Sequence, residues 1–346
     1  MTSKNKIAAL VMFLVGALIF WWEARNTNMH QMLHDLSTLN WWWLLVGAGI
    51  MFLSWVCETV VLQIMLRSER ERMPFYEALR IPLVEQLFNS ITPFAAGGQP
   101  AQLFAMLQSG VEGGRASSVL LMKFVVYQFM VLINFVFTMF IGFERLSIHI
   151  GPLAWLIVFG MLIHVTVIIG LLLVMYYYRL TKKLVAICLV PVGWVLGQER
   201  RQKMATQLDT KIDTFYRESL HLKQEKKKVL MAAVVTLVQL LLLYSVPYFV
   251  LLALHISHVN IVRVMVMHIM IVMIVSIFPI PGGSGGAEYS FKTIFATYIT
   301  NSAHLVLAML LWRFLTYYMG MIAGIIAVAI QPKRKAKQLV DKSNDE

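Results

Sequence analysis

The chain has 346 residues, of which 59% are hydrophobic and only 14% charged, and its formal net charge is +12. With a mean hydropathy of +0.70 it cannot be a soluble globule of this length, which would carry far more charge; it is an integral membrane protein. Nucleic acid is excluded as a partner by where the positive charge sits: 12 of the 30 Lys and Arg fall in residues 179–228 and five in 331–346. These basic segments lie between apolar stretches, on one side in the topology below, as the positive-inside rule requires. Cys57 and Cys188 offer neither a disulfide framework nor metal-ligand spacing and read as small packed residues.

In chain order, residues 7–22 are apolar after Lys4 and Lys6. No small-residue cleavage site follows before Glu23 and Arg25, so a retained anchor helix is expected rather than a signal peptide. Further spans are expected at 40–66, 116–143, 153–178, 229–254 and 303–331, each with the roughly 20 apolar residues that a crossing needs. Trp21, Trp22, Trp41, Trp42 and Trp43 stand at span ends as an aromatic belt. Met29, Met32, Leu33, Leu36 and Leu39 form a short stripe, read as a surface helix. Met204, Leu208, Ile212, Phe215 and Leu220 mark a second amphipathic segment within 200–228, either lying on an anionic leaflet or packing as a solvated connector.

Two stretches break this pattern, one in each half. The first is Thr92-Pro93-Phe94-Ala95-Ala96-Gly97-Gly98-Gln99-Pro100; the second is Pro279-Ile280-Pro281-Gly282-Gly283-Ser284-Gly285-Gly286-Ala287-Glu288. Irregular backbone survives at membrane depth only where it lines a cavity. A matched pair of breaks in the two halves is the best sequence pointer to a transporter's binding site. The fold expected is therefore all-α and polytopic: six full spans, plus re-entrant hairpins over 81–108, opening to the cytoplasm, and 263–300, opening to the outside. Opposite openings suit an inverted repeat. Two full tilted crossings per hairpin, ten spans in all, is the alternative, with the same sidedness. A single membrane domain over 1–346 follows, with a first half 1–178, a basic connector 179–228, a second half 229–331 and a basic tail 332–346. Both termini are placed in the cytoplasm of a bacterial cytoplasmic membrane.

Gly282-Gly283-Ser284-Gly285-Gly286 formally matches the G-x-S-x-G elbow, but that motif has meaning only on a strand-turn-helix of a hydrolase sheet. No catalytic residue is assigned. A Walker A loop, H-E-x-x-H and paired cysteines are missing from the sequence, so no metal or cofactor is expected. The glycines read better as a ligand cradle, with N–H groups turned toward an anion at a helix start near Ala287. A tight turn without a ligand is the competing reading, and Glu288 suits a mere cap as well as a functional role.

Ionisable residues within apolar spans are the sharper clue, since a charge at the bilayer centre costs about 2.5–3.5 kcal/mol even on lenient scales. Arg313 lies too deep for easy snorkelling and is the leading candidate. Lys123 and Glu58 stand nearer the cytoplasmic ends of their spans and could snorkel instead. Glu85 belongs to the first hairpin, Glu288 and Lys292 to the second. His164 and His268 read as neutral, satisfied partners or relay members. Gly320 and Gly324 form a G-x-x-x-G that lets a neighbouring helix approach.

The combination of Pro93 with Gly97 and Gly98, of Pro281 through Glu288, and of Trp312-Arg313-Phe314-Leu315-Thr316-Tyr317-Tyr318 resembles the lysylphosphatidylglycerol synthase transmembrane family. That family includes the flippase half of the bacterial multiple peptide resistance factor. The resemblance implies movement of aminoacylated phosphatidylglycerol to the outer leaflet, where added positive charge repels cationic antimicrobial peptides. It places Gly282, Gly283, Gly285, Glu288 and Arg313 at motif positions. Gln99 stands where an acidic residue is more usual, Gln102 where a basic one is, and Lys123 where arginine is. The soluble aminoacyl-transferase domain of full-length members has no expected counterpart here, so the chain is not expected to be an enzyme by itself.

Taken together, the residues expected to contact a lipid headgroup are Arg313, Gly282, Gly283, Ser284, Gly285, Glu288, Gly97, Gly98, Gln99, Lys123, Glu58 and Glu85. The partners expected are membrane phospholipids, a separate lipid-modifying synthase and further copies of the chain. Two other readings stay open: a membrane enzyme or subunit of lysylphosphatidylglycerol synthesis, and a scaffold in which none of the buried charges matters.

Overall fold

A computed structural model describes residues 34–66, 73–150, 153–188, 213, 216, 220 and 224–330. The expected anchor at 7–22, the first part of the 29–39 stripe, most of 200–228 and the basic tail lie outside the described residues. Within them the protein is all helical and no strand occurs.

Five helices are long and apolar enough to cross a membrane, at the places the sequence predicts. They are α1 (Trp41–Leu66), α4 (Gly113–Ile150), α5 (Leu153–Tyr176), α7 (Lys226–Ala253) and a last span made of α10 (Ser302–Arg313), a π-helical turn Phe314–Tyr318, and α11 (Met319–Ala329). Their outer faces carry large apolar side chains in the open, Phe140 at 85% and Trp155 at 79% exposure. In water such a display would be an aggregation hazard; against acyl chains it is the expected surface. A short helix, α6 (Tyr178–Cys188), continues from α5.

The two broken stretches are helical hairpins. The first is α2 (Phe75–Ile91), a tight 3₁₀ turn Pro93–Ala95, and α3 (Gly98–Gln108). The second is α8 (Ile261–Val275), a 3₁₀ turn Pro281–Gly283, and α9 (Gly286–Phe295). With 11 and 10 residues, α3 and α9 reach about 15 Å at the α-helical rise, half the ~30 Å hydrocarbon core. Re-entrant hairpins therefore describe the chain, and the ten-span alternative does not.

Contacts at the helix ends fix the directions. The Asn40 N–H donates to the Ala253 carbonyl (2.9 Å), so the start of α1 sits beside the end of α7. Arg115 Nη2 donates to the Leu66 carbonyl (2.7 Å), and Arg80 Nε to that of Ala327 (3.0 Å). The starts of α2 and α4 and the end of α11 thus share the face where α1 ends. On the other face, His304 Nε2 at the start of α10 lies 3.1 Å from the Asp35 carboxylate, just ahead of α1. The α2–α3 hairpin opens on one face and the α8–α9 hairpin on the opposite one.

The halves also pack reciprocally. Helix α1 lies along α7, α2 lies against α11 as α8 lies against α4, and the two 3₁₀ turns touch each other. This is the contact pattern of an inverted repeat, with α5 added on the outside against α4 and α8. The small-residue positions explain the close approaches. A Cβ on Gly324 would stand 2.6 Å from the Leu83 carbonyl oxygen, so the G-x-x-x-G face of α11 admits the backbone of α2. Gly160 does the same for α5 against the Met273 carbonyl.

Candidate functional site

The kinks where the hairpins meet follow one backbone plan. In each, a proline opens the 3₁₀ turn and the next two residues take left-handed conformations: Phe94 and Ala95 at φ 53° and 54°, Gly282 and Gly283 at 64° and 61°. Only glycine enters that region freely, so the first kink holds two side-chain-bearing residues in strained positions. Gly285 is left-handed as well (φ 84°), and the space where its Cβ would stand is open.

Around the second kink, Arg313 brings the pieces together. Its Nε donates to Glu288 Oε1 (2.6 Å) and its Nη1 to the Gly282 carbonyl (3.0 Å). Both side chains of this ion pair are more than nine-tenths buried. Arg313 Nη2 is buried too and has no hydrogen-bond partner. The other Glu288 oxygen accepts from the Gly285 N–H (2.6 Å), so Glu288 caps α9 and pairs with Arg313 at once. The turn itself engages several N–H groups expected to face a ligand: Gly283 donates to the Ile280 carbonyl (2.8 Å) and Ser284 to that of Pro281 (3.4 Å). The Ser284 hydroxyl also donates to the Pro281 carbonyl (3.0 Å). It follows a 3₁₀ turn and stands at no strand-to-helix elbow, so the G-x-S-x-G match carries no nucleophile geometry.

The π-helical turn that follows Arg313 shifts the register of the last span by one residue, as such bulges commonly do at functional positions. It lays Tyr317 under the second kink. A Cβ on Gly282 would strike the Tyr317 ring. The Arg313 guanidinium stands 5.1 Å from that ring's centroid, and the Tyr317 hydroxyl donates to the Ser90 carbonyl of α2 (2.9 Å). One side chain thereby ties the arginine site to the first hairpin.

The first half holds a second polar cluster. Lys123 Nζ of α4 donates to Glu58 of α1, to Glu85 of α2 (3.3 Å) and to Gln102 Oε1 of α3 (3.2 Å). The Gln102 amide in turn donates to Glu58 Oε1 (3.2 Å) and to Glu85. Gln99 and Asn89 donate to the remaining Glu85 oxygen at 3.4 and 3.5 Å. Snorkelling of Lys123 and Glu58 is thus overturned: both are buried and paired with each other. They stand ten and eight residues from their helix ends, about 15 and 12 Å at the α-helical rise, and they relieve each other's desolvation locally instead of reaching for water. Gly97 and Gly98 position this hairpin rather than touching the cluster. The Gly97 N–H donates to Thr92 Oγ1 (2.9 Å), and a Cβ on Gly98 would collide with Asn89.

Twelve site residues expected from sequence thus divide into two neighbourhoods, one on each kink. Sequence reasoning missed Gln102, which links all three charges of the first cluster, and Tyr317, which joins the halves. A polar Gln one turn after Gln99 on an otherwise apolar helix was the available signal for the first. It also left open the role of His268, which accepts from Trp312 Nε1–H (3.2 Å) and lies 3.3 Å from the Tyr244 carbonyl. Both ring nitrogens are thus partnered, as expected of a satisfied core histidine. His164 meets Gln128 at one nitrogen (3.2 Å), and its other nitrogen is buried without a partner. Among the described residues no group of three or more metal-ligating side chains occurs.

Inverted broken hairpins meeting over buried, paired charges define a polytopic α-helical membrane protein built around a polar interior. The chain belongs to the family described as the lysylphosphatidylglycerol synthase TM region, whose model matches residues 7–324. It is also similar to a UPF0104 membrane protein of Archaeoglobus fulgidus, 24% identical over 331 residues that cover 93% of this chain and 95% of that relative. Family membership makes it a membrane protein related to lysylphosphatidylglycerol synthesis or lipid handling.

Proposed function

We propose that the protein translocates a phospholipid between leaflets, its cargo an aminoacylated phosphatidylglycerol or a related anionic or lipid-linked headgroup, and so contributes to resistance against cationic antimicrobial peptides. The observation that carries this reading is the unpartnered, buried Nη2 of Arg313 beneath the second kink. Buried polar groups are almost always satisfied, and an arginine left with a free donor in an apolar interior suits a phosphate oxygen. The pair with Glu288 holds the guanidinium in place, and the open space at Gly285 gives a headgroup room to approach.

The first cluster supplies the complementary pole. Two acids against one base let the cluster take up one further positive charge, a fit for the amino groups of an aminoacylated lipid. Rocking of the two halves about the touching kinks would expose the two polar clusters to each leaflet in turn. The basic segments support an orientation with both termini on the cytoplasmic side. In proteoliposomes with leaflet-resolved detection of headgroups, Arg313→Ala abolishes transfer while the protein still inserts. An unchanged rate removes Arg313 from the mechanism.

The family's description favours a second reading, a part in lysylphosphatidylglycerol synthesis. Incubating the pure chain with labelled lysyl-tRNA and phosphatidylglycerol separates the two: lipid-bound label supports the enzyme, and transfer without label supports the translocase.

A further inference from the structure

We infer that the Glu58–Glu85 pair is a proton site, and that translocation exchanges one proton for the cationic headgroup. This rests on the translocase reading and adds to it the source of energy. The first observation is the charge count of the cluster: Glu58, Glu85 and Lys123 have side chains 7%, 12% and 8% exposed, two acids against one base. The second is independent of that count. Lys123 Nζ and Gln102 Nε2 each donate to both carboxyl groups, so the two acids are drawn together on shared donors, an arrangement that one shared proton stabilises.

Among the described residues no second cation is paired with these carboxyls to replace that proton. Lys123 from α4 sits on Glu58 and is the one ammonium against the pair. From α3 come the amides of Gln102 and Gln99, and from α2 that of Asn89. The titratable groups near enough to be felt electrostatically are Tyr127 of α4, by both carboxyls, and Tyr244 of α7, by Tyr127. Because Lys123 lies nearer Glu58, the exchangeable proton belongs to Glu85, which sits on a re-entrant hairpin rather than a full span.

The cycle balances. With the chamber open to one face, the O–H bond of Glu85 breaks, its proton passes to water, and the ammonium group of a headgroup takes its place beside the carboxylate. After the halves rock, the headgroup leaves on the other face and water there returns a proton to Glu85. A lysylphosphatidylglycerol headgroup carries two ammonium groups and one phosphate, so exchanging it for one proton moves no net charge. The membrane potential then has no influence, and a pH gradient of one unit drives at most about a tenfold difference between leaflets, the same ratio as the proton activities.

The test uses the purified full chain in phosphatidylethanolamine–phosphatidylglycerol vesicles containing a trace of lysylphosphatidylglycerol. The outer-leaflet fraction is read with an impermeant amine reagent, and internal pH with a trapped dye. With the outside one pH unit more acidic, the expected result is enrichment of the probe in the outer leaflet, approaching tenfold. Reversing the gradient reverses the bias, and each direction moves protons in step with lipid. Glu85→Gln is expected to abolish the bias and the proton movement. If lipid equilibrates to equal leaflets at any gradient, the coupling is overturned while translocation stands. If no lipid moves under any gradient, both are overturned. The wild-type measurement decides the matter even if Glu85→Gln fails to fold.

Discussion

The two kinks share a backbone path and differ in almost everything hung upon it. The second builds its left-handed residues from Gly282 and Gly283, whereas the first forces Phe94 and Ala95 into the same conformations. The second carries a matched ion pair, Arg313 with Glu288, and a spare donor; the first sets two acids against one base. A repeat whose halves were merely structural would have no reason to distribute charge so unevenly. On the proposed reading the halves have separate tasks, one to receive an anion and the other to exchange cations.

The largest expected effect tests the first cluster. Lys123→Met leaves Glu58 and Glu85 buried with no cation between them, and uncompensated buried charge typically costs about 3–5 kcal/mol. A large fall in the detergent-solubilised unfolding temperature is the expected outcome. Adding Glu58→Gln to that variant removes one of the two acids and recovers part of the loss. A single variant as stable as the wild type would mean that the pair already holds enough protons to need no lysine.

That cluster also marks the boundary of what sequence could reveal. Five of the spans, both hairpins and the burial of Arg313 were legible, because hydropathy and Gly/Pro content report on the membrane as a solvent. Hydropathy measures how deep a residue sits along a helix but not toward which neighbour it turns. Glu58, Glu85, Gln102 and Lys123 come from four different helices, and their meeting depends on tertiary packing. Hence the sequence left snorkelling open for Lys123 and Glu58, which are partners. The N–H groups of the glycine run misled in the opposite way. Its composition announces an anion cradle, but the turn and the Glu288 cap engage the N–H groups of Gly283, Ser284 and Gly285, and the free donor belongs to a side chain 31 residues beyond Gly282.

A smaller effect is expected in the second kink. Gly282→Ala sets a side chain at φ 64°, where a Cβ also meets the Tyr317 ring. Left-handed strain of about 1–2 kcal/mol combines with displacement of the ring that hydrogen-bonds Ser90. Thermal unfolding should shift down, and headgroup transfer should fall further than stability alone explains, because Arg313 loses its alignment on the Gly282 carbonyl. Stability lost with transfer intact would separate the turn from the site.

The smallest effect has the opposite sign and bears most directly on whether the kinks are equivalent. Phe94→Gly gives the first kink the residue that the second already has. The substitution relieves about 1–2 kcal/mol of left-handed strain, set against roughly 0.5–1 kcal/mol of extra freedom for glycine in the unfolded chain. Little burial is forfeited, since Phe94 is 60% exposed. A modest rise in the unfolding temperature is expected, where the same class of change reversed at Gly282 lowers it. Opposite signs at corresponding positions would establish the shared backbone plan. A loss of stability on Phe94→Gly would show instead that the phenyl ring is held by contacts that outweigh its strain, and that the first kink is shaped by its side chain rather than by its main chain.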